Sequence, residues 1–358
     1  MTDVPAFPTA ARGARDPGCR YLTVLPLVLW RGELQLGRQL TVLMSTCLYA
    51  GNAMKDALCA PRPPSPPVRR TGDAKQAANA KEYGLPSSHV LSSFCMIVYP
   101  LCFYAWETGE LRGAALVGWA SLATAAIALI AFARLHLGMH SLIDVQAGFL
   151  GGIVLLVYWL TLDQMVDAWM LHGTHVVPIQ TLMTAALLAF YPVPEDPTPS
   201  FEFCQRYHGT TWGIVVGVRH GHAVMARAGR GTGWRLAARF VVGLSATLAL
   251  KEATAPAIRA ACRSVLGPAP GDGGDGGAAG GDGGGRRTRR GRAAAAGAQA
   301  GAEKGFVLRR GQFIQGLGAP TWSGIYLNPV IAARALNYAL VGFGVTYVSF
   351  HLFVLLGI

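Results

Sequence analysis

Charged residues are scarce in this chain of 358 residues. Only 14% are Asp, Glu, Lys or Arg, whereas a soluble domain carries about a quarter. Hydrophobic residues make up 52%, and the mean hydropathy is positive. The apolar residues form long runs instead of alternating with polar ones. Together these features exclude an ordinary soluble domain.

Cysteine patterns are also lacking, and we expect no cleavable leader. The seven cysteines show no Cys-x-x-Cys spacing and no zinc pattern, and their odd number argues against a complete disulfide framework. Several lie in apolar runs, where a free cysteine is a small hydrophobic residue. Residues 1–17 have no apolar core, so we expect a first transmembrane segment to act as its own insertion signal.

The net charge of +12 does not indicate a nucleic-acid partner. Much of it lies in an arginine tract at residues 286–292 and in scattered arginines between Arg219 and Arg239. Nucleic-acid binding requires a folded basic face, whereas the tract belongs to the Gly/Ala-rich residues 267–305. Such a composition cannot bury a core, and we expect a disordered insert there.

Long apolar runs are what the sequence has in quantity. A membrane-spanning helix needs roughly 20 mainly apolar residues. Candidate spans are residues 40–54, 89–106, 113–133, 143–162, 176–191, 236–250 and 335–358. The runs 21–30 and 210–218 stay open as spans. The sequence therefore predicts an all-α, polytopic membrane bundle with about six to eight spans.

A polar stretch after the third long run combines Arg134, His140 and Asp144. His140 and Asp144 are four apart and share one face if they lie on a helix. The carboxylate can then accept one imidazole proton and leave the other nitrogen free to attack phosphorus. Arg134 has a permanent charge and a planar fork suited to two phosphoryl oxygens. His140 and Asp144 alone would fit a loop histidine and a helix cap. Together with Arg134, and beside an apolar run, they favour a functional site.

A second stretch, Pro86-Ser87-Ser88-His89, precedes an apolar run. Proline suits the start of a helix, and Ser87 or Ser88 suits its N-cap. The free N–H groups of a helix start form a cradle for phosphate. His89 would lie beside that phosphate as a general acid. Taken alone, the stretch also fits a plain cap followed by an interfacial histidine.

A third stretch supplies positive charge through Lys55 and Arg62, the latter in a stiff proline-rich loop. Phosphoryl transfer develops charge on the equatorial oxygens, so fixed cations are the main catalytic need. As a lone pair, these residues would be snorkelling side chains at the interface. Because Lys and Arg can neutralise the phosphate, we expect neither a metal nor another cofactor.

In chain order, Lys-x6-Arg-Pro, Pro-Ser-x-His and Arg-x5-His-x3-Asp resemble the three signature motifs of the type 2 phosphatidic acid phosphatase (PAP2) superfamily. The resemblance implies a PAP2, acid phosphatase-type core in which His140 is the nucleophile, Asp144 orients it and His89 is the general acid. It implies phosphate binding by Lys55, Arg62, Ser87, Ser88 and Arg134. Two departures exist: Ser88 replaces a common glycine, and Ala133 replaces a common serine.

The sequence around the motifs resembles the sphingosine-1-phosphate phosphatase branch. The similar phrases are residues 51–56, 60–69, 82–89 and 194–203, and the resemblance is strong over about 36–165. It implies metal-free hydrolysis of long-chain base 1-phosphates, with a lipid phosphate in the bilayer as the only expected partner. It also implies a multi-pass protein of the endoplasmic reticulum membrane.

The positive-inside rule predicts the orientation of the protein in the membrane, and the apolar runs divide the chain into regions. Basic residues before residue 39 fall on the face opposite the motifs, as do those between Arg219 and Arg235 if the run 210–218 spans, so we expect a luminal site. The expected regions are a cytoplasmic segment with a possible short apolar span (1–36), a catalytic core (37–192), additional spans (193–266), the insert (267–305) and a C-terminal loop with the last span (306–358).

Three alternatives stay open at this point. A broad-specificity phosphatidate or lipid phosphate phosphatase would share all three motifs. A lipid transporter or scramblase would use the cations only to bind headgroups. A catalytically inactive relative is disfavoured because Lys55, His89, Arg134 and His140 are all present.

Overall fold

The computed structural model describes residues 17–65, 68, 82–192, 198–266 and 329–358, with side chains from residue 24 onward. Within these residues the regular structure is helical throughout. The helices are α1 (Pro17–Arg31), α2 (Leu34–Leu58), α3 (Ser88–Glu107), α4 (Gly113–His136), α5 (Leu142–His172), α6 (Val176–Ala189), α7 (Ser200–Ala228), α8 (Trp234–Leu266) and α9 (Pro329–Leu356). The insert predicted at 267–305 lies outside the described residues.

Five described helices, α3, α4, α5, α8 and α9, are long and apolar enough to cross a membrane. Helices α2 and α7, with 25 and 29 residues, are long enough but more polar. The open run 210–218 lies inside α7, whereas the run 21–30 lies in α1, which has only 15 residues. The prediction of an all-α membrane bundle is confirmed.

The polar residues of α2 face other helices. Arg38 donates two hydrogen bonds of 2.7 Å to the Asp167 carboxylate of α5. The Ser45 hydroxyl lies 2.6 Å from His208 Nδ1 of α7. Such pairs satisfy polar groups that would be costly against lipid, which explains how a polar helix can occupy the centre of the bundle.

Small residues let α7 and α9 approach closely. A side chain built at Gly209 or Gly213 would overlap with the backbone of Ala335 or Ala339, respectively. Helices in membranes commonly associate through such small residues. This contact is the most extensive between any two of the described helices, and it fixes the C-terminal half of the bundle.

One end of the bundle collects the C-termini of α2 and α4 and the N-termini of α3 and α5. The opposite end carries Arg230, which pairs with Glu33 at 3.5 Å, and Arg219, which donates to the Leu171 carbonyl at 2.8 Å. The three predicted motifs therefore lie at the first end, and the scattered arginines lie at the other.

Candidate active site

Three hydrogen bonds join the polar stretches to one another. Gly84 N donates to the Ala60 carbonyl at 2.8 Å, and Ser87 N donates to the Asp144 carbonyl at 2.9 Å. The Arg62 guanidinium also donates to the Met139 carbonyl at 2.8 Å. Residues far apart in the sequence are thus fixed in one cluster at the end of the bundle.

His140 is buried, and its two ring nitrogens have different neighbours. Nδ1 lies 3.0 Å from the Gly84 carbonyl oxygen, so it donates its proton there in the matching tautomer. Nε2 lies 3.4 Å from Arg62 Nη1. In that tautomer the Nε2 lone pair faces a cation, which is the orientation that a nucleophile for phosphate needs.

The relation of His140 to Asp144 differs from the predicted one. The Asp144 Oδ2 atom lies 3.7 Å from His140 Nδ1, too far for a good hydrogen bond. His140 precedes α5, whose N-cap is Ser141. Asp144 Oδ2 accepts from Ser141 N at 2.7 Å, and Asp144 N donates to Ser141 Oγ at 3.2 Å. This capping box engages the carboxylate, and the Gly84 carbonyl oxygen lies closer to His140 Nδ1 than Asp144 does.

The environment of His140 favours the neutral ring. Burial lowers the pKa of His140 below its ordinary value, because it penalises the charged form. The Asp144 carboxylate opposes this shift, and the charges of Arg62 and Lys55 add to it. A neutral imidazole at neutral pH keeps the lone pair that attack on phosphorus requires.

The second motif forms the start of α3, as predicted. Ser87 is the N-cap residue, but its side chain makes no capping hydrogen bond, and its Oγ is buried without a partner among the described residues. Ser88 begins the helix and lies against Gly51 of α2. The first N–H groups of a helix have no acceptor within it. Two kinds of donor are thus left for an anion at this point.

His89 follows in the first turn of α3 and is partly exposed. The permanent charge of Arg134 and the charge of Lys55 lie close enough to act on it. The buried Nε of Arg134 has no hydrogen-bond partner in the described part of the chain. A guanidinium with an unsatisfied buried Nε, close enough to act on a histidine, suits an anion that binds between them.

Lys55 and Arg62 share one carboxylate that the sequence interpretation did not single out. Glu82 Oε2 lies 3.1 Å from Lys55 Nζ and 3.4 Å from Arg62 Nη2. Lys55 is completely buried, and the Glu82 side chain is 10% exposed. The neighbouring Asp56 faces away, because Tyr191 and Thr198 donate to its carboxylate at 2.8 and 2.9 Å.

Sequence reasoning missed three contributors to the site. Ser141 had a readable signal, because Ser-x-x-Asp before an apolar run is a capping-box pattern. Gly84 contacts His140 through its backbone carbonyl, and Glu82 contacts Lys55 and Arg62, which are distant in sequence. No local sequence pattern predicts either contact. No group of three or more His, Cys, Asp or Glu suited to a metal occurs among the described residues.

Comparisons with known proteins match the region of the chain that holds these residues. Residues 37–167 match the model of the PAP2 superfamily, so the chain carries a domain of that superfamily. All eight residues of the predicted site lie inside the matched region. No solved structure matches the chain significantly.

Similar curated proteins are phosphatases of lipid phosphates. The chain is 42% identical to lipid phosphate phosphatase delta of Arabidopsis thaliana over 56% of this chain and 48% of that protein. It is 26% identical to a dihydrosphingosine 1-phosphate phosphatase of Schizosaccharomyces pombe over 55% and 48%. It is 30% identical to sphingosine-1-phosphate phosphatase 1 of Mus musculus over 41% and 32%. The chain spans half or less of the length of these relatives.

Proposed function

We propose that this chain is a membrane-embedded phosphatase that hydrolyses long-chain base 1-phosphates to the free base and phosphate. The observation that carries the proposal is the setting of His140. One ring nitrogen lies against the Gly84 carbonyl, and the other lies 3.4 Å from the Arg62 guanidinium. A histidine held in this way beside cations suits covalent phosphoryl transfer.

In the first step, His140 Nε2 attacks the phosphorus of the bound lipid phosphate. A P–N bond forms while the P–O bond to the lipid breaks. His89 gives its proton to the departing alkoxide, so the lipid leaves as an alcohol. The products of this step are a phosphohistidine at His140 and a neutral His89.

In the second step, water attacks the phosphohistidine. His89 now accepts the proton of the water, the P–N bond breaks, and inorganic phosphate is released. His140 regains its lone pair and His89 its proton, so the cycle closes. Lys55, Arg62 and Arg134 would stabilise the charge on the equatorial oxygens in both steps, together with Ser87, Ser88 and the N–H groups that begin α3.

The choice of lipid rests on the named relatives and on the sequence around the motifs. The S. pombe and mouse relatives act, by their names, on sphingoid base phosphates, and the phrases around the motifs resemble the same branch. We further propose the endoplasmic reticulum membrane, with the site facing the lumen. The basic residues Arg31, Arg219 and Arg230 at the other end of the bundle support this orientation.

Phosphate release from sphingosine 1-phosphate, measured with a chelator present, tests the reaction. We expect sustained release by the wild type and a loss of about a thousandfold or more in His140→Ala, because the nucleophile is gone. His220→Ala, an exposed histidine of α7 away from the site, is the matched control. Strict dependence on added metal, or full activity of His140→Ala, would contradict the mechanism.

A broad lipid phosphate phosphatase is the second candidate, favoured by the Arabidopsis relative named for lipid phosphates. The same site would then accept a diacylglycerol backbone as well as a sphingoid one. The ratio of kcat/KM for sphingosine 1-phosphate to that for phosphatidate, measured in the same micelles, separates the two. A preference for phosphatidate would favour the broad enzyme.

A further inference from the structure

The Glu82 carboxylate occupies the place where the proposed function requires phosphate. Its Oε2 atom lies 3.1 Å from Lys55 Nζ and 3.4 Å from Arg62 Nη2. Both cations are assigned to the phosphate in the proposed mechanism. A dianionic phosphate that binds there meets a carboxylate of like charge in a nearly buried setting, where such charges are poorly screened.

The carboxylate is not needed to hold Arg62 in place. The Arg62 Nε atom donates to the backbone carbonyl of Glu82 at 2.8 Å, and Nη1 donates to the carbonyl of Met139 at 2.8 Å. These bonds fix the guanidinium through the backbone. The same bond ties the Glu82 main chain to Arg62, so only the side chain of Glu82 is left to turn when phosphate arrives.

The Glu82 carboxylate therefore stays beside the bound phosphate, and a cation carried by the substrate would balance it. A long-chain base 1-phosphate has such a cation, since its ammonium group is on the carbon adjacent to the one that bears the phosphate. Phosphatidate has an uncharged ester at the equivalent carbon. Substrates that differ in this one charge should be distinguished by Glu82.

We propose that Glu82 forms an ammonium subsite: its carboxylate exchanges Lys55 and Arg62 for the substrate ammonium when the phosphate takes over those cations. This inference rests on the proposed function and extends it to a residue that selects the substrate class. The exchange keeps Lys55, Arg62 and Glu82 paired, both in the free protein and in the complex. Glu82 is a binding residue in this scheme and takes no part in proton transfer.

The test compares sphingosine 1-phosphate with its N-acetyl derivative, which has the same phosphate and chain but no ammonium charge. For the wild type, we expect kcat/KM to favour the free amine by about tenfold or more, the size expected for a hydrogen bond between charged groups away from water. In Glu82→Gln the ratio should fall to about one. Glu82→Asp, which keeps the charge, should restore part of the preference.

A ratio measured within one variant does not depend on how much of that variant is folded. Glu110→Gln, an exposed residue beyond the far end of α3, is the matched control and should keep the wild-type ratio. An equal loss or an equal gain on both substrates in Glu82→Gln would overturn the ammonium subsite, because Glu82 would then act only on the phosphate cations.

The proposed function fails in a different way. Phosphate release from phosphatidate, with none from either sphingoid substrate in the wild type, would overturn the substrate assignment and the subsite together. Release from sphingosine 1-phosphate with a ratio that Glu82→Gln leaves unchanged would overturn the subsite alone and leave the phosphatase standing.

Discussion

The contact between α7 and α9 is packed closely with small residues, whereas the cluster at the start of α3 contains buried polar groups. Between α7 and α9, glycines have no side chain to separate the two backbones. Gly342 lies against the Thr210 carbonyl in this way. At the start of α3, polar groups are buried and some stay without partners. Ser87 Oγ and Arg134 Nε are examples within the described chain.

This difference separates two roles. The α7–α9 contact is a structural support, and the cluster at the start of α3 is a ligand-binding region. Close packing of small residues gains van der Waals contact and leaves no room for a ligand. Buried donors without acceptors cost free energy in the empty protein, and that cost is recovered only when an acceptor binds. Substitutions in the two regions should therefore separate stability from activity.

The largest effect expected from this comparison of the two regions is on activity, in Arg134→Gln. Removing a fixed cation from phosphoryl transfer should lower kcat/KM by about a hundredfold to a thousandfold, the usual size for one charge-stabilising group. The thermal midpoint in detergent should change little, because Arg134 Nε has no partner to lose among the described residues. Phosphate release and a thermal scan on the same sample measure both quantities.

Arg112→Gln is the matched control for this prediction. Arg112 lies at the other end of α4 and is exposed, so its charge is far from the site. It should keep both the activity and the midpoint of the wild type. If Arg134→Gln mainly unfolds the protein, Arg134 belongs with the support and the comparison of the two regions breaks down.

The next effect is on stability, in Gly213→Leu. A side chain at Gly213 would overlap with the Ala339 carbonyl and push α7 and α9 apart. Overpacking of this kind costs about 1–3 kcal/mol or more, so we expect a clearly lower thermal midpoint. Phosphate release per folded molecule, measured well below that midpoint, should stay near the wild-type value.

A glycine in open surroundings controls for the change of residue type. A Cβ at Gly118 of α4 would meet nothing within 4 Å. Gly118→Leu should therefore keep or slightly raise the midpoint, since leucine favours a helix more than glycine does. Equal destabilisation by both substitutions would mean that the α7–α9 contact is not special.

Local patterns made much of this predictable. Apolar runs gave the helices of the membrane bundle, and the start of α3 followed from Pro86 and Ser87. The length of α7 was not predictable from hydropathy, because its polar residues such as His208 pair across the bundle with α2. Hydropathy estimates how well a segment suits a lipid environment, whereas the polar residues of such a helix contact other helices.

The limits at the site have the same cause. Spacing grouped His140 with Asp144, but it could not show that α5 starts between them, with Ser141 as its N-cap and Asp144 engaged in the cap. Nor could it show the Gly84 carbonyl against His140 or the Glu82 carboxylate between two cations. Those contacts join segments whose relative placement depends on the packing of α2, α3 and α5. The catalytic roles themselves stay predictions.

The smallest expected effect is a shift in pH dependence and concerns the charge of Asp144. The Asp144 carboxylate raises the pKa of His140 against the stronger lowering effect of burial. Without that charge the pKa of His140 should fall further, so the ring stays neutral to lower pH. We therefore expect the acid limb of kcat/KM against pH to move to lower pH in Asp144→Asn, with a lower plateau because the ring is a weaker nucleophile.

Two comparisons isolate this effect. The ionisation of the substrate phosphate is the same for both proteins, so it cannot shift the limb of one against the other. Ser141→Ala removes the other half of the capping box without removing a charge, because Ser141 Oγ only accepts from Asp144 N at 3.2 Å. It should leave the acid limb where it is. A shift in Ser141→Ala equal to that in Asp144→Asn would mean that the cap geometry, and not the charge, sets the protonation of His140.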